Sequence, residues 1–186
     1  MRKLIMQNFI SIDGYFEGPK HDISWHNVDS EFNRQAIANL DNADALLFGR
    51  ITYELMASYW PTPHALTDDP IVAGKMNSLQ KIVFSRTLRT ADWANSRLVN
   101  EDAAGEIRRL KQQEGKNLLI FGSSDLVVSI MGKNLIDEYD FYVNPVILGK
   151  GKSIFQGAAG MVKVKLLETR IFASGNVLLR YGPLEK

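Results

Sequence analysis

The sequence contains no cysteine, and that absence removes disulfides, thiolate metal ligands and thiol nucleophiles together. Three histidines occur, His21, His26 and His64, all in polar stretches and none at metal-ligand spacing. No metal site is expected, and surface histidine is the better reading for each. No apolar run approaches membrane-spanning length, and Met1-Arg2-Lys3 leads into a short mixed segment unlike a signal peptide. A cytoplasmic location is the default. Charge of one sign is also missing. With 22 basic and 21 acidic residues the net charge is +1, so there is no electrostatic case for nucleic acid. Gly-x-Ser-x-Gly is absent, which leaves a serine hydrolase without support. Gly151-Lys152-Ser153 looks like the end of a phosphate-binding loop, but Val146 stands where the upstream glycine is required.

What remains is an ordinary globular composition, 45% hydrophobic and 23% charged over 186 residues. It is read as one domain, 1–186, with a sizeable core. Three short apolar runs organise it. Ala45–Phe48 leads into Gly49-Arg50-Ile51-Thr52, Lys81–Phe84 into Ser85-Arg86-Thr87-Leu88, and Leu118–Phe121 into Gly122-Ser123-Ser124-Asp125. Runs this short and this apolar suit strands buried on both faces of a parallel sheet. If the three lie parallel, their turns gather along one sheet edge. Open α/β sheets bind ligands there, where helix N-termini offer free N–H groups to anions.

A first strand is predicted over Lys3–Ile12, closed by Asp13-Gly14, with a polar loop Glu17–Asp22 after it. Helices are predicted after Asp29 or Ser30, over Thr52–Trp60, after Asp69-Pro70 and after Asp102. Between the second and third of these, Pro61–Asp69 is read as loop. Glu138–Leu148 reads as a long extended segment that Pro145 confines to an edge or a bulge. Val162–Phe172 and Asn176–Tyr181 read as an antiparallel pair turning at Ser174-Gly175. The fold class is therefore α/β, a mixed and mostly parallel central sheet with an antiparallel C-terminal hairpin.

Arg50 and Arg86 each directly follow a buried strand. Their planar forks suit phosphate, and the alternative is a solvated charge at a strand end. Asp29 is a good N-cap. Beside Trp25 it is also a candidate carboxyl with a raised pKa, able to supply or relay a proton, with Glu31 as its rival.

These residues resemble a known group. Trp25-x-x-x-Asp29, Leu47-Phe48-Gly49-Arg50-x-Thr52-Tyr53-Glu54, Val83-x-Ser85-Arg86-Thr87-Leu88 and Ile120-Phe121-Gly122-Ser123 stand in the order found in dihydrofolate reductases. Leu135-Ile136-Asp137-Glu138 and Asn144-Pro145-Val146-Ile147-Leu148-Gly149-x-Gly151 are closer to the reductase domain of riboflavin-biosynthesis deaminase/reductases. The chain is identified as a stand-alone member of the dihydrofolate-reductase-like superfamily, nearest the riboflavin-pathway reductase domain.

The resemblance implies a three-layer fold with an eight-stranded mixed sheet that binds NADPH across its strand ends. On it, Gly49, Arg50 and Thr52 hold cofactor phosphate, and Ser85 and Arg86 meet the ribose phosphate. Gly122, Ser123, Ser124 and Asp125 line the pyrophosphate and nicotinamide side. Asp13, Trp25 and Asp29 face the substrate, Asp29 as the catalytic carboxyl. A homodimer is implied, as is hydride transfer to a heterocyclic or ribosyl substrate. Reduction of 5-amino-6-(5-phosphoribosylamino)uracil comes first, dihydrofolate second, and a non-enzymatic nucleotide- or partner-binding protein is the other class. Two departures stand out. Ser123 occupies a place where the family often has glycine, and Tyr15 one where the riboflavin-pathway enzymes usually carry lysine.

Overall fold

Ala45-Leu46-Leu47-Phe48 carries an apolar side chain at every position, and alternate ones enter two different cores. Ala45 and Leu47 join one cluster with Leu118 and Ile120, while Leu46 and Phe48 join a second with Leu119 and Val83. A strand with period-2 side chains and no polar face is stable only when both faces are covered. The rest of the architecture follows from that need.

The computed structural model describes residues 1–184. Its first half runs β1 (Leu4–Ser11), β2 (Tyr15–Glu17), α1 (Ser30–Asp41), β3 (Ala43–Gly49), α2 (Arg50–Tyr59), α3 (Pro63–Asp68), α4 (Pro70–Ser78) and β4 (Gln80–Phe84). The second half runs β5 (Ser96–Val99), α5 (Ala103–Gln112), β6 (Asn117–Phe121), α6 (Ser124–Met131), β7 (Glu138–Asn144), β8 (Lys152–Ser153), β9 (Val164–Ile171) and β10 (Val177–Pro183). Eight strands form one sheet in the order β5-β4-β3-β6-β1-β7-β10-β9. Pairing is parallel from β5 to β7, and β10 runs antiparallel to both its neighbours. Leu40 of α1, Tyr53 of α2 and Val72 and Met76 of α4 cover one face. Ile107 and Leu110 of α5 and Leu126, Val127 and Ile130 of α6 cover the other. The mixed sheet between two helical layers is the fold class expected from the sequence. Among the described residues no helix is long and apolar enough to cross a membrane.

Side-chain caps set most helix starts. Asp29 accepts from the Phe32 N–H at 2.7 Å, Asp69 from Val72 at 3.1 Å and Asp102 from Gly105 at 3.0 Å. Each such cap stabilises its helix by about 1 kcal/mol. The C-terminal end of α4 is closed differently. Lys81, fully buried, reaches back from β4 to the Met76 and Asn77 carbonyls at 2.8 Å each, with its ammonium 4.4 Å from the Trp93 ring centre.

Several expectations need correction. β1 stops at Ser11, because the chain turns at Asp13-Gly14, and Ile12 is left 61% exposed. Glu17, read as the start of the polar loop, is instead the last residue of β2, which pairs with β8. The segment Pro61–Asp69 contains α3, capped by the Thr62 hydroxyl. Glu138–Leu148 is no edge strand. β7 ends at Asn144, before Pro145, and lies inside the sheet between β1 and β10. The outer strand on that side is β9.

His26 is also not a surface residue. Its ring packs on Phe9 at 4.6 Å and edge-on to Trp25 at 4.5 Å, and burial lowers its pKa from 6.5 to about 4. The unfolded chain therefore binds this proton at higher pH than the folded one. The stability tied to neutral His26 is complete above pH 6.5 and is lost as pH falls towards 4, on the order of 2 kcal/mol. Urea unfolding at pH 7.5 and pH 5 is expected to show a larger loss for the wild type than for His26→Phe, which keeps a ring but cannot titrate. Equal losses would remove His26 from the acid response.

Candidate active site

β3 and β6 are adjacent and parallel, yet the helices that follow them diverge: α2 goes to one face and α6 to the other. Such a divergence opens a crevice beyond the carboxyl ends of the strands. A cleft of about 640 Å³ lies there, lined by Gly49, Arg50 and Thr52 of the first turn, Ser85 and Arg86 of the second, and Ser123, Ser124 and Asp125 of the third. The convergence expected from the sequence is met for these residues.

The three turns are built to different plans. Gly122 has φ +55°, and a Cβ there would meet the Thr52 hydroxyl at 3.2 Å, so both backbone conformation and close approach favour glycine. Ser123 follows in the same left-handed region, φ 61°, ψ 55°. Its N–H donates to Thr52 Oγ1 at 3.0 Å, and its Oγ accepts from the Gly49 N–H at 2.7 Å. Ser85 Oγ accepts from the Thr87 and Leu88 N–H groups at 3.2 and 2.9 Å, which folds the turn that presents Arg86.

Capping separates these helices from the others. Among the described residues, α1, α3, α4 and α5 each have an N-cap side chain bonded to their first turn, and α2 and α6 have none. The two helices left without a cap both open onto the cleft. Their first N–H groups and partial positive charge are available to an anion. Of the two arginines, Arg50 is paired with Glu54 at 2.9 Å, and Arg86 is exposed with no ion-pair partner among the described residues. Lys152 meets Asp125 at 3.2 Å, and Lys133 completes the basic lining.

Asp13, Trp25 and Asp29 do not line this cleft. Asp13 is an exposed turn former. The Ser11 hydroxyl and the Leu148 and Gly149 N–H groups lower its pKa. Trp25 donates its indole N–H to the Asp22 carbonyl at 3.1 Å. The expectation of a raised pKa at Asp29 is overturned, since the Phe32 N–H at the start of α1 lowers it and holds the carboxylate ionised. Glu31, its rival, is likewise lowered by the Ala173 N–H and by Arg170.

Sequence reasoning missed Phe16, Glu17 and Lys152, which the β2–β8 pair lays along the cleft wall. Only the dismissed Gly151-Lys152-Ser153 carried any signal of them.

The chain is 28% identical over 180 residues to YyaP, an uncharacterized protein of Bacillus subtilis (strain 168), with 97% of this chain and 94% of that one covered. A putative riboflavin biosynthesis protein from Shewanella sp. PV-4 has a similar structure, with a TM-score of 0.76 at 20% identity and full coverage of both chains. Dihydrofolate reductase from Enterococcus faecalis, solved with NADP(H), matches with a TM-score of 0.65 at 14% identity over 98% of this chain and 97% of that one. The model of the RibD C-terminal domain matches residues 2–178. The chain belongs to the RibD C-terminal domain family.

Proposed function

We propose that this chain is an NADPH-dependent reductase acting on a heterocyclic or ribosyl substrate, most like 5-amino-6-(5-phosphoribosylamino)uracil. One observation carries the reading: among the described residues, the two helices without a side-chain N-cap bond, α2 and α6, meet at one cleft beside Arg86, which has no ion-pair partner there. The residues fit a phosphorylated dinucleotide. Free N–H groups at both helix starts suit a diphosphate, and Arg86 on the Ser85 turn suits a ribose phosphate. NADPH bound there would supply the hydride.

The chain's own work is to bind, orient and exclude water. The Ser123–Gly49 and Ser123–Thr52 bonds fix the two helix starts relative to one another, and β2 with β8 walls the cleft. Asp29, ionised and spent as a cap, is a poor proton donor, so the proton is assigned to water. Titration with NADPH, followed by nicotinamide fluorescence, tests the reading, and absence of binding at sub-millimolar concentration would remove it. NADPH oxidation with the phosphoribosylaminouracil and with dihydrofolate separates the two substrates.

The reading extends to a homodimer. β9 is an outer strand whose Leu166, Leu167 and Ile171 are 55%, 47% and 76% exposed. Sheets cover such edges, and antiparallel pairing with the same strand of a second copy covers both at once. Light scattering at micromolar concentration is expected to give twice the chain mass; the mass of one chain would count against it.

A further inference from the structure

Ser123 occupies a backbone region that non-glycine residues adopt at a cost. It does not cap its own helix. Its hydroxyl instead accepts the Gly49 N–H at 2.7 Å, which leaves that N–H no longer open to a ligand. A serine hydroxyl has one donor and two acceptor positions. Here an acceptor position is filled, and among the described residues nothing takes the proton. The residue is 7% exposed and still lines the cleft.

We infer that Ser123 is an adapter, whose hydroxyl receives the Gly49 N–H and passes a hydrogen bond on to the diphosphate of the bound dinucleotide. The inference rests on the dinucleotide reading above and adds to it the donor atom and its direction. Two hydrogen bonds in series polarise one another, so the hydroxyl is a better donor to an anion than an isolated serine. The strained backbone at position 123 is then explained, because the left-handed conformation aims Oγ at Gly49 while its N–H meets Thr52.

The test compares Ser123→Ala and Ser123→Gly with the wild type, using NADPH and, separately, inorganic pyrophosphate as probes, with melting temperature recorded alongside. Alanine removes the relay and keeps the backbone cost. It is expected to weaken both probes about tenfold or more, the size of one hydrogen bond to a charged group. Glycine removes the same hydroxyl and relieves the backbone, so it is expected to weaken both probes as alanine does while holding or raising the melting temperature. An alanine variant that binds as well as the wild type, or better, overturns the adapter; better binding would mean the hydroxyl occupies the phosphate's place. Losses that follow melting temperature, with the more stable of the two variants binding as the wild type does, also overturn it and leave Ser123 as a staple between helices. Wild-type binding of pyrophosphate without NADPH defeats the reductase reading alone, and the adapter is then judged on the pyrophosphate ratios. A wild type that binds neither probe overturns both.

Discussion

Replacing Arg86 with alanine is expected to weaken NADPH binding about 30-fold, the equivalent of ~2 kcal/mol in hydrogen bonds to a charged group. NADH binding should change less than about threefold, because it lacks the ribose phosphate that a guanidinium would recognise. The same substitution at Arg50 should cost less, since that guanidinium already shares its charge with Glu54. Arg86 has no such partner among the described residues and sits on a turn that Ser85 folds. Raised salt should narrow the difference, because the site is exposed and screening acts on it directly. Fluorescence titrations with both cofactors check this. Equal losses for NADPH and NADH would show that Arg86 does not read the ribose phosphate.

The largest loss of stability is expected at Asp140. This carboxylate is fully buried and receives two bonds from Arg180, at 2.8 and 2.9 Å, and one from Gln7 at 3.2 Å. Arg180 lies opposite Asp140 in register and bonds Glu168 on the far side at 2.6 Å, so one guanidinium ties β7, β10 and β9 together. Its pKa is raised, first by the hydrogen bonds to Asp140, so the guanidinium stays charged at any pH of interest. Asp140→Asn keeps the shape and removes the charge, leaving a half-buried cation underpaired. The expected cost is about 3 kcal/mol, near the low end for breaking a buried pair because Glu168 remains. For a chain of this size that lowers the melting temperature by about 6–12 °C. Replacing both partners with apolar residues, Asp140→Leu with Arg180→Met, should recover most of the loss. A single variant within 1 kcal/mol of the wild type in urea unfolding would show that the pair contributes little.

Local sequence carried the parallel half of the sheet and the helix starts. Ala45–Phe48 and Leu118–Phe121 could bury both faces only inside a sheet, and Asp29, Asp69 and Asp102 stood where caps must stand. What failed depended on distant partners. β2 and β8 are three and two residues long, too short for any periodicity, and each is a strand because the other lies beside it. Pro145 pointed to an edge, but it follows the last residue of β7 and never interrupts the ladder. His26 looked polar in its neighbourhood, and only tertiary packing against Phe9 buries it. The turns that line the cleft were legible because each directly follows a strand. Asp13, Trp25 and Asp29, expected at the same place, lie outside its lining. Asp29 has the sequence context of a buried acid, but the Phe32 N–H at the start of α1, followed by groups of Ser174, lowers its pKa and keeps it ionised.

A crystal structure with NADP+ soaked in tests the central claim most directly. The diphosphate is expected between the N-termini of α2 and α6, within hydrogen-bond distance of the Ser123 hydroxyl, with the ribose phosphate beside Arg86. Dinucleotide bound elsewhere on the molecule, or no binding at saturating concentration, would contradict it.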